Sequence, residues 1–134
     1  MTLTANGLSL NLGQQTEGFN ITTANGANTV VGGAGNDTIT GNGYTNLVLA
    51  DASSGVYASI ADGIAYGDGI GTDSFTGVNA LQTGKYNDTL MGGSGNDLLA
   101  PGAGDDYVDG SSGIDTIAYT SESLTQGVTV DLSL

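Results

Sequence analysis

The sequence lacks the side chains on which most metal sites and most catalytic sites depend. It has no cysteine and no histidine, and Lys85 is the single basic residue among 134. The missing cysteine excludes disulfides and thiolate sites. The missing histidine would leave zinc, copper or non-haem iron with carboxylate ligands alone, which suits those metals poorly. One lysine cannot form a basic patch for nucleic acid or for an anionic membrane surface.

Acidic residues, in contrast, are abundant. Fourteen acids against one base give a formal net charge of −13. A chain this acidic repels itself when compact, so we expect a cation in the folded state. Because the available ligands are almost all oxygens, a hard cation is favoured, with calcium first.

The sequence shows no sign of membrane insertion. No apolar run approaches the roughly 18 residues of a membrane span. The opening MTLTANGLSLNLG has no basic region before its apolar part, so it does not resemble a secretory signal peptide.

A nine-residue pattern recurs through the second half of the chain. Residues 92–118 contain GGSGNDLLA, PGAGDDYVD and GSSGIDTIA, each with an aspartate at the sixth position and a large apolar residue at the eighth. Rows 83–91 and 68–76 keep this pattern, and the six residues GVNALQ between them form a shortened row. The aspartates in frame are Asp73, Asp88, Asp97, Asp106 and Asp115.

A second block of the same pattern lies near the start. GGAGNDTIT, at 32–40, is a full match with Asp37 at the sixth position. The rows on either side, TANGANTVV and GNGYTNLVL, keep the frame but place Asn28 and Asn46 where the acid would stand.

These patterns divide the chain into four segments. We predict repeat blocks at 14–49 and 68–118, separated by a strand or hairpin insert at 50–67. The insert sequence GVYASIADGIAYG is echoed by GVTVDLSL at the end, so 119–134 is predicted to begin a further insert. The whole of 1–134 is expected to form one domain that is part of a larger protein.

A nine-residue period with one large apolar residue is incompatible with an amphipathic helix, whose period is 3.6. Six glycine-rich residues are typical of a turn, and the remaining three form a short strand with its middle side chain inward. Two rows then make one coil of eighteen residues. The pattern therefore predicts an all-β fold, a parallel β-roll or β-solenoid of nonapeptide half-coils, with a β-hairpin-like insert between its two repeat blocks.

Stacking of the coils gives the aspartates a role. Neighbouring parallel strands lie about 4.8 Å apart, and calcium–oxygen bonds of about 2.3–2.6 Å place opposite ligands at nearly that separation. A calcium ion can therefore lie between two stacked turns and bind an aspartate from each. Without metal, the stacked carboxylates would repel one another.

The motif GGxGxDxUx, where U is a large apolar residue, resembles the calcium-binding nonapeptide of the RTX (repeats-in-toxin) family. GGAGNDTIT and GGSGNDLLA match that motif almost letter for letter. The resemblance implies a hemolysin-type parallel β-roll that binds several calcium ions. It also implies a secreted bacterial protein exported by type I secretion.

The resemblance assigns calcium ligands residue by residue. The implied ligands are the carboxylates of Asp37, Asp73, Asp88, Asp97, Asp106 and Asp115 and carbonyls near Gly93, Gly95, Gly102 and Gly104. On one side of the roll Asp73, Asp88 and Asp106 are expected to stack, with the shortened row absorbing the irregular spacing. On the other side Asp97 is expected to stack with Asp115.

The first block departs from the family pattern. Asp37 is expected to lack an acidic neighbour at either stacked position, one of which is Phe19. Asn28 and Asn46 could supply neutral amide oxygens or could be ordinary turn and ladder residues. We therefore expect weak or empty sites in this block.

No constellation of residues predicts catalysis. Serine has no histidine partner, cysteine is absent, and no carboxylate pair stands apart from the repeats. The leading hypothesis is a calcium-dependent structural or spacer module that is unfolded at low cytosolic calcium and folds outside the cell. One alternative is an adhesin module that recognises a glycan, an extracellular polysaccharide or a cell surface. The other is an accessory domain of a secreted hydrolase or epimerase.

Overall fold

The computed structural model describes residues 7–119 and 128–131, and within them every regular element is a β-strand. In chain order the strands are β1 (Ser9–Asn11), β2 (Asn20–Thr22), β3 (Asn28–Val31), β4 (Thr38–Val48), β5 (Tyr57–Ser59), β6 (Ile64–Gly67), β7 (Gly71–Gln82), β8 (Thr89–Met91), β9 (Leu98–Ala100), β10 (Asp106–Asp109), β11 (Thr116–Ile117) and β12 (Val128–Asp131). Short strands alternate with glycine-rich turns, as a nine-residue period requires.

The strands form the two faces of a roll. Face A contains β1, β3, the second half of β4, the second half of β7, β9 and β11, all paired in parallel. Face B contains β2, the first halves of β4 and β7, then β6, β5, β8, β10 and β12. Strands β4 and β7 pass from face B to face A, so the two faces form one continuous, mostly parallel sheet. This architecture confirms the predicted all-β parallel β-roll.

The core is the row of inward side chains between the two faces. Val30, Leu47, Leu81 and Leu99 follow one another along face A through the strand register. Residues of face B meet them from the other side, and both sets belong to one buried cluster. The fully buried large apolar side chains are Ile21, Val30, Ile39, Leu47, Leu49, Ile70, Leu81, Leu90, Leu99 and Val108.

The insert between the repeat blocks is a β-hairpin, as the sequence predicts. Strand β5 pairs with β6 in an antiparallel manner, and β6 pairs in the same manner with β7. The other side of β5 pairs in parallel with β8. The hairpin is thus inserted into face B, where it separates the first group of repeat strands from the second.

The frame predicted for the row GNGYTNLVL is wrong by one residue. Val30 pairs with Leu47, so these coils are offset by 17 residues rather than 18. Thr45 is consequently buried, whereas Asn46 lies at an outward position opposite Thr29. The physical reason is that β4 crosses between the faces without a full glycine-rich turn, which removes one residue from the repeat.

The end of the chain is described only in part. Strand β12, within GVTVDLSL, pairs in parallel with β10 and places Val130 opposite Val108. Most of the predicted insert at 119–134 lies outside the described residues.

Candidate metal centres

Four of the aspartates at the sixth repeat position lie where the chain enters face B. In the first group of coils, the N–H of Phe19 donates to Oδ1 of Asp37 at 2.8 Å, and the N–H of Asp37 donates to Oδ1 of Asp73 at 2.8 Å. Each carboxylate thus accepts a backbone hydrogen bond from the preceding coil. This ladder fixes both side chains along the same edge of the roll.

The second group of coils repeats the arrangement. The N–H of Val56 donates to Oδ1 of Asp88 at 2.8 Å, and the N–H of Asp88 donates to Oδ1 of Asp106 at 2.9 Å. Along this edge, an apolar residue in one coil is therefore followed by an aspartate in each of the next two strands of the ladder, and this order occurs twice. The hairpin of β5 and β6 lies between the two occurrences.

The second oxygen of each of these carboxylates is buried without a hydrogen-bond partner. These atoms are Oδ2 of Asp37, Asp73, Asp88 and Asp106. An ideal Cβ placed on Gly32 would lie 3.8 Å from Oδ2 of both Asp37 and Asp73, so these two oxygens approach one point. The hydroxyl of Thr83 lies near Asp88 but donates its single proton to the carbonyl of Pro101 at 2.9 Å, so it leaves Oδ2 of Asp88 without a donor. Buried, unpaired carboxylate oxygens are costly unless a cation binds them.

The predicted stacking of Asp73 on Asp88 is wrong. Asp73 stacks on Asp37, because the hairpin places two antiparallel strands between β7 and β8. The expectation that Asp37 lacks an acidic neighbour is wrong for the same reason. Asp88 and Asp106 do stack, as predicted.

The opposite edge of the roll carries one further pair. The N–H of Asp97 donates to Oδ1 of Asp115 at 2.9 Å, which shows the expected stacking. Oδ2 of Asp97 accepts the N–H of Gly93 at 2.6 Å, and Asp115 is partly exposed. The carboxylates of this pair therefore have more hydrogen-bond partners or more solvent exposure than the carboxylates of the two pairs on the other edge.

Burial changes the acidity of these groups. Burial raises the pKa of Asp73 from 3.8 to about 7, opposed by the N–H of Asp37 and assisted by its charge. Burial is also the first cause that raises the pKa values of Asp88, Asp97 and Asp106. Each shift means that the protein environment, without a cation, disfavours the ionised carboxylate.

One turn that has no aspartate shows which backbone carbonyl oxygens converge on a single donor. In the turn 23–28, Nδ2 of Asn28 donates to the carbonyls of Ala24 and Gly26 at 2.8 Å each. Nδ2 of Asn42 donates to the same two carbonyls at 2.7 and 2.8 Å. The side-chain amides of Asn28 and Asn42 thus occupy the point at which these two carbonyl oxygens converge. Asn42 has no periodic signal in the sequence, because it lies in the shortened crossing.

Those carbonyls belong to the second and fourth residues of the nonapeptide. Gly93 and Gly95, and likewise Gly102 and Gly104, occupy the same positions in acidic rows. No group of three or more His, Cys, Asp or Glu side chains that could hold one ion occurs in the described residues. Further oxygens would therefore come from the backbone, and the donor set of two carboxylates plus carbonyls suits a hard cation such as calcium.

Comparison with known families agrees with this donor set. The model of the RTX calcium-binding nonapeptide repeat matches residues 22–43, 73–108 and 82–117, with four copies. The chain belongs to this family. It is a calcium-binding β-roll, and each pair described above contains sixth-position aspartates of the RTX repeat.

No curated protein and no solved structure matches the chain. No helix in residues 7–119 and 128–131 is long and apolar enough to cross a bilayer.

Proposed function

We propose that this RTX module is a structural or spacer domain of a secreted protein, and that calcium binding drives its folding outside the cell. The single observation that carries the proposal is the set of four buried carboxylate oxygens without partners. The protein cannot neutralise them itself, because its one basic residue, Lys85, lies over the ring of Tyr86 at 5.4 Å from its centroid.

The proposed ligands are the stacked aspartates and the second and fourth carbonyls of the glycine-rich turns. Asp37 with Asp73, and Asp88 with Asp106, would hold ions on one edge, and Asp97 with Asp115 would hold one on the other. Bound calcium supplies the positive charge that these stacked turns lack. Because the sites exist only when coils are stacked, the free energy of binding is also free energy of folding.

The calcium concentration on each side of the cell envelope determines where the module would fold. RTX repeats are typical of secreted proteins. In this proposal the chain stays unfolded during type I secretion, where calcium is scarce, and folds where it is plentiful. We propose no catalytic role, because the buried acids belong to the stacked repeat ladder and Asp105 beside Asp106 is exposed.

The test is folding as a function of divalent cation. We expect circular dichroism and hydrodynamic radius to show an unfolded chain in chelator and a compact β-protein in millimolar calcium. Magnesium at the same concentration is the control, since it demands a smaller octahedral site and should fold the chain poorly. The same folded spectrum in chelator and in calcium would contradict the proposal.

A further inference from the structure

The edge opposite the two buried pairs has a hollow of about 540 Å³. It forms where the regular turns are interrupted. Only six residues separate the inward Phe75 and Leu81, whereas nine separate the inward Leu90 and Leu99. Strand β7 therefore crosses between the faces without a glycine-rich turn, and the turn 92–97 has no full turn stacked on its preceding side.

The glycines of this edge show that the space is open. An ideal Cβ on Gly95 would have no heavy atom within 4 Å. At the same motif position, a Cβ on Gly35 would overlap the carbonyl oxygen of Glu17, and one on Gly113 would overlap that of Gly95. A stacked coil fills this space elsewhere in the roll, but not in front of Gly95.

A strongly exposed aromatic ring forms one wall of the hollow. Tyr44 is 68% exposed, although its backbone is firmly held. Its N–H donates to Oδ1 of Asn42 at 3.0 Å, and Nδ2 of Asn42 is bonded to the carbonyls of Ala24 and Gly26. Gly43, with φ of +87°, makes the turn that precedes the ring. The ring is thus presented to solvent by a rigid support.

Polar groups without positive charge share the rest of the lining with glycines and with the apolar residues Ile60, Ala61 and Val78. Asn79, Ser94 and Asn96 contribute amides and a hydroxyl. Oδ1 of Asn96 accepts the N–H of Ile114 at 2.9 Å, so its Nδ2 is the atom available to donate to a ligand. Among the described residues, the only charged side chain in the lining is Asp97, which is buried.

We propose that this hollow binds a neutral saccharide. The ring of Tyr44 would contact the C–H face of a sugar, while Asn79 and Asn96 would bind its hydroxyls. The hollow has the size of small-molecule sites, which span about 300–1,000 Å³. In the calcium-bound roll the charges of Asp97 and Asp115 balance that of the ion, and no cationic side chain occurs among the described lining residues, so the hollow offers no group that would pair with a uronate or another anion. The site rests on the proposed function, because the turn that holds Asp97 is ordered in the calcium-bound roll.

The experiment is binding to immobilised neutral gluco-, manno- and galacto-oligosaccharides in millimolar calcium. Uronate oligomers and an acidic peptide serve as comparison probes, and circular dichroism monitors folding of every variant. We expect a neutral saccharide to bind, with about tenfold weaker binding in Tyr44→Ala and nearly full binding in Tyr44→Phe. Tyr66→Ala is the matched control, because Tyr66 is 48% exposed on the outer side of face B.

A second variant tests the space itself. Ala61→Phe should fill the hollow and abolish binding while the chain still folds in calcium, because Ala61 is exposed, lines the hollow and lies outside the calcium-binding turns. A folded wild-type chain that binds no neutral saccharide, or binds only uronate or peptide, contradicts this site alone. Equal losses in Tyr44→Ala and Tyr66→Ala would also contradict it. A chain that stays unfolded in calcium contradicts the proposed function and, with it, this site.

Discussion

At the residue scale, chemically similar side chains have opposite roles in this roll. Asp37 and Asp73 each use one carboxylate oxygen for the ladder and keep the other buried and unpaired. Asn28 uses its oxygen in an equivalent hydrogen bond on the opposite edge, accepting the N–H of Leu8 at 3.0 Å, but its NH₂ group binds two carbonyls of its own turn. An amide therefore completes its turn internally, whereas an aspartate requires a cation from outside.

Asn28→Ala tests this internal role. The substitution removes three hydrogen bonds around a buried side chain, so we expect a loss of about 1–3 kcal/mol in the free energy of unfolding. The measurement is urea unfolding in saturating calcium. Asn46→Ala is the matched control and should change stability by less than about 0.5 kcal/mol, because Asn46 is an outward residue. Equal effects of the two substitutions would contradict this role.

The buried acids also predict how pH acts in the absence of calcium. The pKa of Asp73 is 3.8 ordinarily and about 7 in the metal-free fold, so folding takes up a proton between these values. The stabilisation is complete below the lower value and is lost as pH rises through the higher one. The raised pKa values of Asp88, Asp97 and Asp106 act in the same direction.

We therefore expect acidification from about pH 7.5 to about pH 5 in chelator to increase the folded fraction measured by circular dichroism. In subsaturating calcium the trend should reverse, because protons compete with the cation for the same carboxylates. Asp73→Asn should reduce both effects. A folded fraction in chelator that rises with pH in this range would overturn the prediction.

At the element scale, the turns have unequal requirements even where their sequences agree. GGAGNDTIT and GGSGNDLLA share a glycine at the fourth position. Gly35 packs directly against the backbone of Glu17 in the preceding coil, whereas Gly95 faces the hollow. The glycine of the motif is thus required by the neighbouring coil rather than by the turn alone.

Gly35→Ala and Gly95→Ala form a matched pair. A methyl group at Gly35 would overlap a backbone carbonyl that cannot move freely, so we expect a loss of at least about 2 kcal/mol. At Gly95 the same methyl group has open space, and the change should stay within about 0.5 kcal/mol. Thermal unfolding in saturating calcium measures both. Similar losses at the two positions would show that the space in front of Gly95 is not open in the folded protein.

At the scale of the whole molecule, the hairpin divides the roll into two groups of sites. Strands β5 and β6 lie between the Asp37–Asp73 pair and the Asp88–Asp106 pair on the same edge of the roll. Three strand spacings, roughly 14 Å in total, lie between Asp73 and Asp88. Each pair should therefore bind its cation with little direct influence from the other.

This separation predicts a pattern of additivity. Substitutions that remove one carboxylate from each pair, Asp73→Asn and Asp88→Asn, should add within about 0.5 kcal/mol in their effect on unfolding in calcium. Asp37→Asn combined with Asp73→Asn should be clearly non-additive, because the two residues share one site. Urea unfolding of the single variants and the two double variants provides the measurement. Strong coupling between Asp73 and Asp88 would mean that the hairpin does not insulate the pairs.

The sequence alone determined the repeat, the inward residues of the rows that carry the aspartate, and the kind of ligand. These follow from the local period, because an aspartate at the sixth position and a large apolar residue at the eighth are repeated in each of these rows, whatever lies beside it. Leu90, Leu99 and Val108 could therefore be assigned to the core by their place in the row. Calcium could be expected from the oxygen-rich side chains and their spacing.

Only the tertiary structure decided which acids face each other and where the roll is open. Stacking partners depend on how many strands intervene in the sheet, and the hairpin places two between Asp73 and Asp88. The shortened crossings likewise remove a turn beside Gly95, an opening that no single row reveals. A periodic sequence specifies each coil, but the order in which coils meet is a property of the assembled sheet.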